Sequence, residues 1–198
     1  MVPTVAECFR LMDAYGMLDN VRAHSLLVAR VAERLARDLA EQGEAVRVGV
    51  AVAGALLHDI AKTSCLASGG DHAADGEAIC RRHGFDEIAG IVGEHVALAG
   101  EGDSHRCSEK EIVYYADKRV KHDVVVSLPE RLAYILAHYG RNDPALHQAI
   151  RRNFDHCLRV EAKLFRGLPY RPEEMAALME AMGPADEAWA PRWQGLCG

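Results

Sequence analysis

Residues Val48 to Leu57 carry no polar or charged side chain, and they run directly into His58-Asp59. A run this apolar is expected to form a buried helix. Burying an ionised carboxylate at its end without a partner costs several kcal/mol, and a metal ion offsets that cost. The rest of the chain supplies candidate co-ligands: His24 upstream, then His72, His95 and Asp117 downstream. A second pair, His122-Asp123, stands among polar residues and reads as a solvated turn.

With 198 residues and 49% hydrophobic content, the chain can bury a real core as one domain. A net charge of -6 argues against a nucleic-acid binder that works through bulk charge. No stretch is expected to meet the roughly 20 apolar residues of a bilayer span. The start, Met1 to Glu7, lacks the basic and apolar regions of a signal peptide. The cysteines at 8, 65, 80, 107, 157 and 197 include no C-x-x-C pair, and they read as free thiols of a cytoplasmic protein.

The pattern is helical throughout, which predicts an all-α bundle of about eight to nine helices. Thr4 and Glu7 form a capping box that opens a helix to about Tyr15. A long helix follows from about Asp19 to Gln42, ended by Gly43. The apolar helix is expected over Glu44 to Lys62. Asp71 caps a helix to His83, and another runs from Asp86 to about Ala97. Ser108 with Glu111 and Ser127 with Glu130 mark two further capping boxes, the first opening a helix to about Lys121. Further helices fit Pro144 to Phe165 and Pro172 to Met182. Val124 to Val126 is too short to read as a strand. Residues 1–182 read as a single domain with its core at 18–135, followed by an irregular tail over 183–198. Trp189 and Trp193 in that tail are expected to dock on their own domain.

The six candidate ligands fall on inward faces. His24 extends the stripe of Val28, Val31, Leu35 and Leu39 by one turn. His95 continues Ile88 and Ile91, Asp117 lies between Val113 and Val120, and His72 stacks ahead of Gly76 and Ile79. Taken singly, His24, His95 or Asp117 is most economically a hydrogen-bonded core residue. Taken together, four imidazoles and two carboxylates are a ligand set for Fe, Mn, Co, Ni or Zn.

These residues resemble the pattern of the HD superfamily of metal-dependent phosphohydrolases. His24, His58-Asp59 and Asp117 match its basic motif in order, and His72 and His95 match the extra pair of its two-metal members. The segments His58-Asp59-Ile60-Ala61-Lys62, His72-Ala73-Ala74-Asp75-Gly76 and Tyr115-Ala116-Asp117 are similar to the family's ligand segments. The resemblance implies a first metal on His24, His58, Asp59 and Asp117. It implies a second on His72 and His95, with Asp59 bridging. It also implies hydrolysis by a metal-activated hydroxide.

Lys62, one turn beyond Asp59, is expected to help catalysis by holding a phosphoryl oxygen. Lys118 and Arg119, in the densest basic cluster, are further candidates for binding substrate. The glycines of Ser68-Gly69-Gly70 read as a surface loop. The partner implied is a small phosphorylated molecule, a nucleotide, with no membrane or strong nucleic-acid partner. In size and ligand count the chain resembles the branch that cleaves diadenosine tetraphosphate symmetrically. It departs from that branch after His95, where Val96-Ala97-Leu98 follows. Two other readings share the ligand set: a di-iron oxygenase of the same fold, and a regulatory domain without catalysis.

Overall fold

The computed structural model describes residues 1–100, 102–103 and 105–183. Five of the α-helices start where a side chain satisfies the first free amides. Glu7 N donates to Thr4 Oγ1 (3.2 Å) while Thr4 N donates to the Glu7 carboxylate (2.7 Å), and α1 spans Val5–Ala14. The same reciprocal box opens α7 (Glu109–Arg119) at Ser108 and α8 (Leu128–Tyr139) at Ser127. Aspartates 71 and 143 cap α5 (His72–Arg82) and α9 (Pro144–Leu164). Past the ends of α2 (Asp19–Glu41) and α5, Gly43 and Gly84 adopt φ of 90° and 73°, which a side chain would resist.

The predicted central helix divides in two. α3 covers Val48–Leu57 and α4 covers Lys62–Ser68. Between them the chain tightens: Ile60 N donates to Leu57 O (3.0 Å) and Lys62 N to Asp59 O (2.9 Å). His58 Nδ1 also donates to Ala55 O (2.6 Å), so a side chain takes up a carbonyl at the helix end. α6 (Asp86–Glu94) stops short of the expected Ala97 in the same way, with His95 Nδ1 donating to Val92 O (2.6 Å).

α3 is buried on nearly every residue and lies against α2, α6 and α7. By length and composition Val48–Ser68 is apolar enough to cross a membrane, contrary to the sequence expectation. In the fold, however, 72% of its most apolar window is buried inside the protein. α5 pairs with α6, and α9 rests on α7 and α8. Buried apolar residues from Val5 to Met179 form one continuous core.

A two-residue antiparallel ladder replaces the loop expected after α7. β1 (Val120–Lys121) pairs with β2 (Val124–Val125) around a turn at His122-Asp123. Arg119 closes it, with Val126 N donating to Arg119 O (2.7 Å) and Arg119 Nε donating to Val126 O (2.6 Å). The last predicted helix begins as a 3-10 turn at Pro172–Glu174 and continues as α10 (Met175–Ala181). The fold among the described residues is thus all-α apart from this ladder. Cys8, Cys65, Cys80, Cys107 and Cys157 are free and buried. Cys197 and both tryptophans lie outside the described residues, as does the tail beyond Gly183.

Candidate metal centre

Five segments deliver six donors to one place. His24 comes from α2, His58 and Asp59 from the turn after α3, His72 from the start of α5, His95 from the end of α6, and Asp117 from α7. The donor atoms of His24, His58 and Asp59 lie within 4.8 Å of one another, as do those of Asp59, His72 and His95. Asp59 belongs to both groups. Its Oδ1 stands 3.4 Å from His72 Nε2 and 3.5 Å from His95 Nε2, and its Oδ2 stands 3.4 Å from His58 Nε2. Asp117 Oδ1 is 3.1 Å from His24 Nε2 and 3.7 Å from His58 Nε2. Donors about 2.0–2.2 Å from one ion stand roughly 3–3.5 Å apart at right or tetrahedral angles, so these spacings suit a shared cation.

Proton positions point the same way. The Nδ1 atoms of His24, His58 and His95 meet the carbonyls of His122 (3.0 Å), Ala55 (2.6 Å) and Val92 (2.6 Å). A carbonyl only accepts, so each Nδ1 carries the proton. In a neutral ring the Nε2 lone pair is then left facing the centre. Those lone pairs face carboxylate oxygens, which are also acceptors. His58 Nε2 and Asp59 Oδ1 are buried without a hydrogen-bond partner. Neighbouring rings are crowded together, with centroids only 4.9–5.3 Å apart. A cation between acceptors resolves the conflict, and the residues present therefore fit a divalent metal.

Burial opposes the charge on Asp59 and Asp117. The imidazoles beside them, with Lys62 at Asp59 and Lys118 at Asp117, outweigh it and hold both carboxyls well below the usual range. Burial pushes His72 below the usual imidazole range, which favours the neutral ring a metal needs.

The three basic candidates part company. Lys62 Nζ donates to Asp59 Oδ2 (2.7 Å) and lines a pocket of about 310 Å³ above the centre. Lys118 also borders that pocket. Its ammonium is buried, donates to His95 O (2.9 Å) and sits 3.6 Å from the centre of the Tyr114 ring. Arg119 is not brought to the centre. Its guanidinium is buried and bonded to Val126 O, Pro172 O, the Tyr115 hydroxyl and Glu161. Sequence reasoning missed Arg131 and Tyr139, which also line the pocket. Their spacing from Ile135, four residues apart on α8, was the available signal.

Gly76 fixes the distance between α5 and α6. A Cβ there would stand 2.8 Å from Val92 Cγ1, on a stiff β-branched side chain. The close approach lets His72 Nε2 reach within 3.2 Å of His95 Nε2. Gly76→Val is expected to cost about 1–3 kcal/mol through overpacking and to lower metal uptake with all six donors intact. Thermal melts and elemental analysis check this; unchanged values in both would free the placement of α5 from Gly76.

A helical bundle that gathers four imidazoles and two carboxylates around a shared aspartate defines a class of metal-binding helical protein. The family model of the HD domain matches residues 21–120, which span all six donors. The chain belongs to this family, the HD superfamily of metal-dependent phosphohydrolases. It is similar to the uncharacterized protein MJ0778 of Methanocaldococcus jannaschii, with 30% identity over 155 residues, 68% of this chain and 86% of that one. No solved structure matches significantly.

Proposed function

We propose that this chain hydrolyses a phosphate ester or anhydride bond of a small phosphorylated molecule, a nucleotide, at a centre of two divalent cations. His24, His58, Asp59 and Asp117 would hold one ion, and Asp59, His72 and His95 the other. When bound, the ions supply Lewis-acid polarisation of phosphoryl oxygens and an acidified water. The carrying observation is the convergence of three imidazole Nε2 atoms on carboxylate oxygens at 3.1–3.5 Å, each ring bonded through Nδ1 to a backbone carbonyl.

The chain's own groups do the positioning. Backbone carbonyls at Ala55, Val92 and His122 lock three rings, so the donors hold their orientation without help from substrate. Asp59 Oδ2 aligns Lys62, whose ammonium lies at the pocket edge where a phosphoryl oxygen would rest.

Elemental analysis of protein purified without added metal, followed by a phosphate-release screen, tests this reading. About two ions per chain are expected. In His72→Ala the count should fall toward one and phosphate release by at least about tenfold, since even indirect support of a metal ligand is worth 10–100-fold. Oxygen uptake by the iron-loaded protein without any phosphate release would overturn the hydrolase reading in favour of an oxygenase.

A further inference from the structure

α8 is amphipathic, yet Leu128 is its only fully buried residue. Its apolar face, with the first half of α9, instead lines the pocket above the metal centre. Val96, Ile135, Tyr139, Leu146, Ile150 and Phe154 form this wall, and Tyr139 and Val96 are 55% and 44% exposed. Folding alone thus leaves this apolar surface partly in water. Opposite it lie the two lysines and the histidines of the floor, with Asp117 as the one acidic side chain lining the pocket.

Arg131 stands on the same wall. It forms no ion pair among the described residues, and its Nε is buried without a hydrogen-bond partner. The guanidinium carbon stands 5.6 Å from the centre of the Tyr134 ring, and a pocket-lining guanidinium with no anion paired to it is matched to an anionic ligand. The wall itself offers little to read polar edges. Asn153 is already engaged, donating to Val96 O (2.9 Å) and accepting from the Tyr114 hydroxyl (2.8 Å). At about 310 Å³ the pocket sits at the small end of ligand sites, roughly 300–1,000 Å³.

We propose that Arg131 and the α8–α9 wall select a compact phosphate monoester with a planar, apolar organic group. Arg131 binds the phosphate anion, and Ile135, Tyr139 and Ile150 hold the organic group by contact. This rests on the phosphohydrolase reading and narrows its substrate. A nucleobase would be held by its face, so bases are discriminated weakly. Sugar phosphates and polyols meet a largely apolar wall that offers them few hydrogen bonds beyond the Tyr139 hydroxyl and Arg131.

Calorimetry on the metal-loaded protein with phenylphosphonate and methylphosphonate tests the wall, and hydrolysis of phenyl phosphate and glycerol 3-phosphate tests turnover. Phenylphosphonate should bind at least about tenfold more tightly, as expected for burying one ring. Ile150→Ser should erase most of that difference while leaving methylphosphonate affinity in place. Arg131→Met should weaken both phosphonates about tenfold or more, the scale of a lost hydrogen bond to a charged group, with metal content unchanged. Phenyl phosphate should be the better substrate. Equal affinity for the two phosphonates, or an Arg131→Met variant that binds as wild type does, overturns the inference. Selective binding with neither ester hydrolysed supports the pocket and overturns monoester cleavage alone, while the phosphate-release screen decides the hydrolase reading itself.

Discussion

Asp59→Asn is expected to lose phosphate release by about a thousandfold or more, because deleting even one transition-state-stabilising donor costs roughly 10²–10³. The substitution preserves shape and changes only charge and proton count. In the group formed with His72 and His95, Asp59 supplies the only anion, so that ion should be lost outright. The group around His24 keeps Asp117 and should bind more weakly. Stability gives an independent readout. Wild type should gain about 2.7 kcal/mol at a metal concentration a hundred times the dissociation constant, which for a chain of this size is roughly 5–11 °C in melting temperature. The variant should lose most of that gain. Without metal it should melt lower than wild type, since Lys62 loses the anion 2.7 Å from its ammonium, so the metal-dependent shift is the quantity compared. An Asp59→Asn protein that keeps its metal content and its metal-dependent shift would refute the shared-carboxylate centre.

Much of this centre could be read from the chain because its signals are local. The stripe of His24, Val28, Val31 and Leu35 is a periodicity within one helix, and Thr4 with Glu7 or Ser108 with Glu111 is a box within one turn. Three features could not be read that way. The break after Leu57 arises because the His58 ring takes up the Ala55 carbonyl, a competition that apolar composition does not reveal. The carbonyls that orient His24, His58 and His95 are backbone atoms, identical in every residue. His122-Asp123 does form an exposed turn as expected, yet its carbonyl orients a ring 98 positions away in the chain. The basic cluster after Asp117 divides in a way sequence does not show, for a related reason: Lys118 borders the pocket and Arg119 turns to Val126 O and Pro172 O. Charge density alone does not say whether an ammonium faces water, and Lys118 instead rests buried against the Tyr114 ring.

Arg119 makes that last point testable, with an expected effect on stability rather than on substrate affinity. Its side chain is buried and joins three parts of the fold. Nε donates to Val126 O (2.6 Å) at the end of the ladder, Nη2 to Pro172 O (2.9 Å) ahead of α10, and Nη1 faces the Tyr115 hydroxyl and Glu161 (3.4 Å). Removing the guanidinium leaves the Glu161 carboxylate and two carbonyls without these partners. Breaking a buried pair from one side costs about 3–5 kcal/mol, so Arg119→Leu should melt roughly 6–20 °C lower for a chain of this size. Glu161→Leu alone should cost less, because Arg119 keeps its bonds to Val126 O and Pro172 O. The double variant should recover about 0.5–3 kcal/mol relative to the sum of the singles, since the two residues share one network. The folded fraction of Arg119→Leu should keep wild-type KM and metal content. A variant with wild-type melting and a raised KM would instead return this guanidinium to the substrate, and the ladder and α10 would then need another clamp.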